Sequence, residues 1–364
     1  MNSLLKKHYI WLCVLLSISF LLQGCSQKSE VLTPAQTVVE GIRGNYESGL
    51  DTLPLSLQRH YAQRIYRVTG DEAFIPYQKR HAVYLVESFK RDVDGISSQP
   101  DYVLMRDRQI AEKRTLRTER QRQRALLFNR YPGMLFNTDL VFRLVQLDYY
   151  GLLNDLPADQ VNLLKHNLKD ADFKSFLLDE AAIRHYAAQA ANQVWFLYQL
   201  GIIDLRQDFE RRFQEVYPLS EDYLLSRSEF HNKIYGLTHI VIAASRYYQD
   251  ELPQDAFAWI TDYFIDQLPL LLEITTEDIL AEVGISLALT GQLDHPAVEQ
   301  IRARLISAYD PISQMIPSPT GGTDFAQGEH RNVLAVMLLI WPEQLFQGPH
   351  LDLEAVMLKL SQSE

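Results

Sequence analysis

Apolar residues recur along most of the chain at spacings of three and four, which is the period of an amphipathic α-helix. The strict alternation typical of strands is rare after Leu53, and Gly, Pro, Asn and Asp interrupt the helical pattern at short intervals. The sequence therefore predicts an all-α fold. After a leading helix that starts at Thr33-Pro34, helices are expected over residues 54–69, 76–92, 102–128, 134–152, 158–170, 177–200, 204–216, 221–249, 254–272, 276–291, 296–309, 329–341 and 351–361.

Every second predicted helix is the more apolar one, and a polar residue recurs just before its most hydrophobic stretch at intervals of 43 to 54 residues. That spacing fits a helix–loop–helix hairpin repeated about six times. An alternation of buried and half-buried helices is what a ring of inner and outer helices requires. We predict an α/α toroid of about six hairpins, with an open solenoid of the same hairpins as the alternative. The recurring residues are Glu87, Asp139, Gln193, His239, Glu282 and Asn332.

The amino terminus carries a secretion signal. Lys6 precedes an apolar run over residues 10–22, which is too short for a membrane span, and the run ends in Gly24-Cys25. This ending resembles the bacterial lipoprotein signal, in which the cysteine is lipidated and becomes the first mature residue. Ser26 stands where an inner-membrane retention signal has Asp, so the resemblance implies a lipid anchor in the outer membrane, with the protein facing the periplasm. An ordinary secretory signal is the alternative.

Three segments follow from this pattern: a signal peptide over residues 1–24, a lipidated cysteine with a tether and a short helix over residues 25–50, and a single domain over residues 51–364. The mature chain would keep Cys25 as its one cysteine and could form no internal disulfide. Acidic residues outnumber basic ones, 46 to 35, which disfavours nucleic acid as a partner. No cofactor is expected. The basic run over residues 106–124 is interpreted as the solvated face of an outer helix, with contact to anionic headgroups or lipopolysaccharide as the alternative.

The connections that enter the apolar helices are the longer ones, and the longest, over residues 310–328, leads directly into Glu329-His330. Helix amino termini attract anions through their free amides and their dipole. On the helix over residues 221–249, His231, Tyr235 and His239 share one face because they are four residues apart. We therefore expect a polar cavity at the amino-terminal ends of the inner helices. Its predicted wall comprises Asp139, Gln189, Gln193, His231, Asn232, Tyr235, His239, Asp278, Glu282, Asp324, Glu329, His330 and Arg331.

The plan of six hairpins resembles the α/α toroid superfamily, which includes glycoside hydrolases, polysaccharide lyases and sugar epimerases. The stretches over residues 229–248 and 321–332 also resemble an uncharacterised family of bacterial lipoproteins. The first resemblance implies a sugar or an acidic polysaccharide as ligand. It transfers no catalytic residue, so the chemistry has to be argued from the side chains.

Three chemistries are possible at the predicted wall: hydrolysis, proton transfer by a lyase or an epimerase, and metal-dependent chemistry. Hydrolysis needs two carboxylates, whereas a lyase or epimerase needs a His or Tyr to move a proton and Asn, His or Arg to neutralise a carboxylate. A metal site is not expected, because His231 and His239 lie about 12 Å apart along one helix. We predict that His231, Tyr235, His239, Glu282 and His330 are catalytic, and that Asp139, Gln193, Asn232, Asp278, Asp324, Glu329, Arg331 and Asn332 bind the substrate. The alternative is a lipoprotein that binds a glycan, a small ligand or an envelope protein without turnover.

The anchor can be tested separately from the cavity. Replacing the predicted acylation site, Cys25→Ser, should move the protein from the membrane fraction to the soluble periplasmic fraction, because the lipid is its expected attachment. Cell fractionation followed by immunoblotting measures this. An unchanged distribution of the variant would contradict a lipid anchor at Cys25.

Overall fold

Helices account for nearly all regular structure in the computed structural model, which describes residues 32–361. Residues 38–361 belong to one unit, to which the description below applies. The predicted signal peptide and Cys25 lie outside the described residues. None of the described helices is long and apolar enough to cross a membrane.

The all-α prediction is confirmed, since no named strand occurs over residues 32–361. The α-helices are α1 (Pro34–Gly49), α2 (Leu55–Thr69), α3 (Ile75–Ser98), α4 (Tyr102–Glu112), α5 (Glu119–Asn129), α6 (Met134–Tyr149), α7 (Ala158–Asp170), α8 (Phe173–Leu177), α9 (Glu180–Gln199), α10 (Arg206–Val216), α11 (Arg227–Ala244), α12 (Gln254–Asp266), α13 (Leu268–Ile274), α14 (Glu277–Leu289), α15 (Pro296–Ser307), α16 (Phe325–Leu339) and α17 (Leu353–Ser361).

Two predicted helices are each divided in the structure. The helix expected over residues 102–128 is α4 and α5, and the second begins at a capping box in which Thr118 and Gln121 satisfy each other's backbone amides. The helix expected over residues 254–272 is α12 and α13, with a proline in the first turn of the second. Helix α11 starts later than predicted because Ser226 and Glu229 form another capping box.

Six helices form an inner layer, and each packs against the next in chain order from α6 through α9, α11 and α14 to α16. Helix α16 then packs against α2. Gln63 of α2 donates a hydrogen bond to Gln146 of α6 over 3.4 Å, and so the contacts return to their starting point. This order of contacts is compatible with the predicted toroid. The outer layer includes α3, α10 and α15, each of which follows an inner helix and packs back on it.

One assignment to the inner layer is wrong. The repeat placed Glu87 in the inner row, but Glu87 is exposed on α3, an outer helix. The sixth inner helix is α2, which presents His60 and Arg64 to the interior of the ring. Helix α2 has an amphipathic sequence with several arginines, and arginines on one face of a helix usually face solvent.

The inner layer is close-packed around α11. A Cβ atom added at Gly236 would lie 2.5 Å from the ring of Phe213 and 2.9 Å from the Cβ of Ala187. Asn232, one turn earlier, donates a hydrogen bond over 2.9 Å to the carbonyl of Ile183 in α9. Helix α9 is kinked there, because Tyr186 leaves helical geometry (φ −136°, ψ 21°). Helices α9 and α11 therefore approach each other closely beside the kink.

This close approach predicts that Gly236→Ala lowers the free energy of unfolding by about 1–3 kcal/mol, because the added methyl group overpacks the α9–α11 interface. Gly44→Ala on α1 is the matched control, since nothing lies within 4 Å of a Cβ there and alanine gains up to about 1 kcal/mol in a helix. Urea unfolding measures both variants. Equal stabilities for the two variants would contradict the close packing.

Candidate functional site

A cavity of about 440 Å³, here called the central cavity, opens between the inner helices. Helices α2, α9 and α11 contribute most of its wall, and α5 adds two arginines from outside the inner layer. The side chains are mostly polar or cationic, which suits a polar ligand better than an apolar one. The lining residues are Arg59, His60, Arg64, Arg120, Arg124, Phe142, Ala188, Gln189, Asn192, Asn232, Tyr235, His239, Tyr247 and His330.

A chain of histidines and carboxylates runs along one side of the central cavity. The Nδ1 atom of His60 lies 2.9 Å from Oε1 of Glu329, and the Nε2 atom of His60 lies 3.3 Å from Nδ1 of His330. The Nε2 atom of His330 lies 3.4 Å from Oε1 of Glu282, which is also 3.6 Å from Nε2 of His239. Three histidines and two carboxylates from α2, α11, α14 and α16 are thereby connected.

Uncharged side chains orient the members of this histidine chain through hydrogen bonds. Thr238 donates a hydrogen bond over 2.7 Å to Oε2 of Glu282, so each oxygen of that carboxylate has a partner. Nδ1 of His239 lies 3.0 Å from Oδ1 of Asn192, an acceptor that favours a proton on Nδ1. His330 is the most exposed of the three histidines, with a side chain 39% accessible, and it is therefore the one best placed to reach a ligand.

The pKa values of the two carboxylates in the histidine chain are shifted in opposite directions. Burial raises the pKa of Glu329 to about 7, against the opposing effect of Arg64, His330 and Arg59. Burial would also raise the pKa of Glu282, but His239 and His330 outweigh it and hold that pKa below its ordinary value. Burial and the nearby arginines lower the pKa of His60. A proton near neutral pH therefore resides on Glu329 in preference to His60, while Glu282 stays ionised.

A smaller cleft of about 210 Å³ adjoins the central cavity and shares Phe142, Gln189, Asn192 and Tyr247 with it. It contains three residues of the predicted wall, Asp139, Gln189 and Gln193. Asp139 is exposed at its rim, and Gln193 donates a hydrogen bond over 3.1 Å to the backbone carbonyl of Thr138.

Seven residues of the predicted wall line the central cavity or belong to its histidine chain: Gln189, Asn232, Tyr235, His239, His330, Glu282 and Glu329. Glu329 joins the chain through His60. The Tyr235 hydroxyl donates a hydrogen bond to Asp278, and burial raises the pKa of this tyrosine, so the phenol is neutral.

The other predicted residues contact the backbone outside the wall of the central cavity. His231 lies 2.8 Å from the carbonyl of Ile274, and Arg331 donates over 3.2 Å to the carbonyl of Ile316. Asp324 caps the amino terminus of α16 through the amide of Gln327. Asn332 accepts a hydrogen bond over 2.7 Å from the amide of Ile316. These contacts hold the long loop over residues 310–324 and the first turns of α11 and α16.

The structure adds lining residues that the predicted wall did not contain: Arg59, His60, Arg64, Phe142, Ala188, Asn192 and Tyr247. It also brings Arg120 and Arg124 of the basic run to the wall, so the interpretation of that run as a solvated face is wrong for these two arginines. One sequence feature could have identified this face of α2. His60 lies among arginines on a helix that also carries the buried residues Tyr61 and Ile65. Among residues 32–361, no group of three or more His, Cys, Asp or Glu side chains has the geometry of a metal site.

The fold and the site together define an all-α protein with a ring of inner helices around a cationic cavity that contains linked histidines. A family model described as a domain of unknown function, DUF3541, matches residues 35–361. The chain belongs to that family. No curated protein and no solved structure matches the chain.

The raised pKa of Glu329 makes the stability of the protein depend on pH. Between the ordinary carboxyl value of 4.5 and about 7, the folded state binds more protons at this residue than the unfolded state. Glu329 therefore lowers the free energy of unfolding progressively as pH rises through that window. The lowered pKa of His60 acts in the opposite direction, since it costs stability as pH falls.

Comparison with Glu329→Gln separates the two effects, because the amide does not titrate and His60 is present in both proteins. We expect the free energy of unfolding of the wild type, minus that of the variant, to fall by on the order of 3 kcal/mol from about pH 4.5 to above pH 7. Urea unfolding at a series of pH values measures this difference. A difference that does not change with pH would contradict a raised pKa at Glu329.

Proposed function

We propose that the central cavity binds an acidic sugar or acidic oligosaccharide and moves a proton on it, as a lyase or an epimerase does. The observation that carries the proposal is the chain of His60, His330 and His239 with two buried carboxylates beside a wall of arginines. A uronate needs both features, since a base must take the proton next to its carboxylate and cations must stabilise the charge that develops. The protein would act in the cell envelope, attached through Cys25.

His330 is the base in this proposal, because it is the most exposed histidine of the chain. It takes the proton from C5 of the uronate, and the electron pair moves into the sugar carboxylate. In a lyase, the pair then forms the C4–C5 double bond while the C4–O bond breaks and the leaving oxygen takes the proton from His330. In an epimerase, C5 takes a proton from a water molecule on the opposite face, and His330 releases its own proton to solvent. Glu282 stabilises the protonated imidazole in either case, 3.4 Å away.

Hydrolysis by two carboxylates has less support. Glu282 is 1% exposed and bonded to Thr238, and Glu329 is fully buried behind His60. Neither oxygen pair faces the central cavity, whereas a glycosidase needs two carboxyl groups flanking the scissile bond. Imidazoles are the proton-transfer groups in the wall, which favours lyase or epimerase chemistry.

Replacing the central histidines separates turnover from folding. We expect His330→Gln and His239→Gln each to lower kcat by about 10²–10⁴-fold while the melting temperature stays close to that of the wild type. The substrates are uronic acid polymers. Ultraviolet absorbance of the new double bond reports a lyase, and exchange of the C5 proton in heavy water, followed by NMR, reports an epimerase.

His166→Gln is the matched control, because His166 is exposed on α7 and does not line the central cavity, so its replacement should leave turnover unchanged. Wild-type binding of uronates without either product would instead favour the non-catalytic lipoprotein. Loss of folding in both variants at the temperature of the assay, with turnover intact at lower temperature, would assign these histidines a structural role.

A further inference from the structure

We propose that the central cavity recognises two separate anionic groups of one ligand. Arg59 and Arg64 of α2 hold one group, and Arg120 and Arg124 of α5 hold the other. The proposal deepens the proposed function by naming the class of substrate, an oligoanion, and rests on that function for the sugar itself. It also makes Arg120 and Arg124 specificity-determining residues for ligands longer than one charged unit.

The four arginines are fixed in direction by neutral oxygens. Arg59 donates to Oε1 of Gln63 over 3.2 Å, and Arg64 donates to the carbonyl of His60 over 3.3 Å. These contacts orient the guanidinium groups without neutralising them.

The arginines of α5 have the same kind of partner. Arg120 donates to the carbonyl of Ser228 over 3.3 Å, and Arg124 donates to the carbonyl of His185 over 2.6 Å. His185 lies beside the kink at Tyr186, so its carbonyl faces a side-chain donor. The kink in α9 therefore helps to position Arg124 at the central cavity.

Within the described residues, none of the four has a carboxylate oxygen within 4.0 Å. Arg122, on the same helix as Arg124, pairs with Glu119, and the buried Arg143 pairs with Asp92. Acidic residues are in excess in this chain, so a shortage of carboxylates does not explain the four unpaired cations.

Arg64 makes the observation sharper, because only 4% of it is exposed and its Nε atom has no hydrogen-bond partner. The Nε atom of Arg59 is also buried without a partner. A buried cation without a carboxylate in ion-pair contact is costly, and a bound anion would reduce that cost. The positive charges of Arg59 and Arg64 also repel each other. Burial lowers the pKa of Arg59, and the charge of Arg64 lowers it further.

The two pairs lie at different depths of the ring. Arg120 contacts Ser228 in the first turn of α11, whereas Arg64 lies 5.6 Å from the ring of Tyr248, beyond the last turn. The contacts of the two pairs therefore lie at opposite ends of α11, although all four arginines line the same cavity. A ligand that engages both pairs at once carries an anionic group for each.

Isothermal titration with anions of different length tests this proposal. The probes are galacturonate, tetragalacturonate and, as anions without sugar, orthophosphate and tripolyphosphate; galactotetraose is the neutral control. We expect the wild type to bind each longer anion at least about tenfold more tightly than the corresponding single unit. Arg124→Gln and Arg120→Gln should each remove about tenfold of the affinity for the longer anions and leave the single units unchanged.

Arg122→Gln is the matched control on α5, because Arg122 faces solvent and pairs with Glu119, and it should bind like the wild type. Arg64→Gln should weaken single and longer anions alike. Equal affinity for single and longer anions, no loss in Arg124→Gln relative to Arg122→Gln, or no binding of either longer anion would overturn the proposal. Charge-dependent binding of tripolyphosphate with no binding or turnover of tetragalacturonate would leave it standing and overturn the proposed function instead.

Discussion

The contact between His60 and Glu329 joins the first inner helix to the last, and the site depends on it. The two residues are 269 positions apart, and their side chains lie 2.9 Å from each other between α2 and α16. Burial of a carboxylate is tolerated only if it is protonated or paired, and Glu329 has one partner in His60 and a pKa raised towards neutrality. The same histidine that joins α2 to α16 also connects the histidine chain, since His60 contacts His330.

A second contact reinforces the same closure from the carboxyl-terminal segment. The fully buried Arg67 donates hydrogen bonds to the carbonyls of Phe346 and Gly348, while the amide of Phe346 bonds to the carbonyl of Arg67 over 3.0 Å. Helix α2 is therefore held by α16 and by the segment after it. Because α2 carries Arg59, His60 and Arg64 into the central cavity, whatever fixes α2 also fixes the geometry of this cationic side of the cavity.

Helix positions were predictable from the sequence because apolar periodicity is local, and α6, α7 and α14 begin and end within a few residues of their predicted limits. Whether a helix lies in the inner or the outer layer depends on contacts with distant parts of the chain, which local periodicity does not reveal. Glu87 fitted the repeat and is exposed, whereas His60 lies on a helix whose arginines looked solvent-facing and contact the cavity. A cationic face of a helix has the same pattern whether it meets water or a cavity built to hold an anion.

The net charge of the chain and the charge of the central cavity have opposite signs. The chain has a formal net charge of −11, yet the central cavity contains four arginines that no carboxylate contacts among the described residues. At physiological salt, surface charges are screened beyond about 8 Å, so the acidic exterior repels an approaching anion only weakly. Inside the cavity, screening is smaller and the guanidinium groups dominate. An anion would therefore gain most of its binding free energy after entry, where the shape of the ring can select among ligands of equal charge.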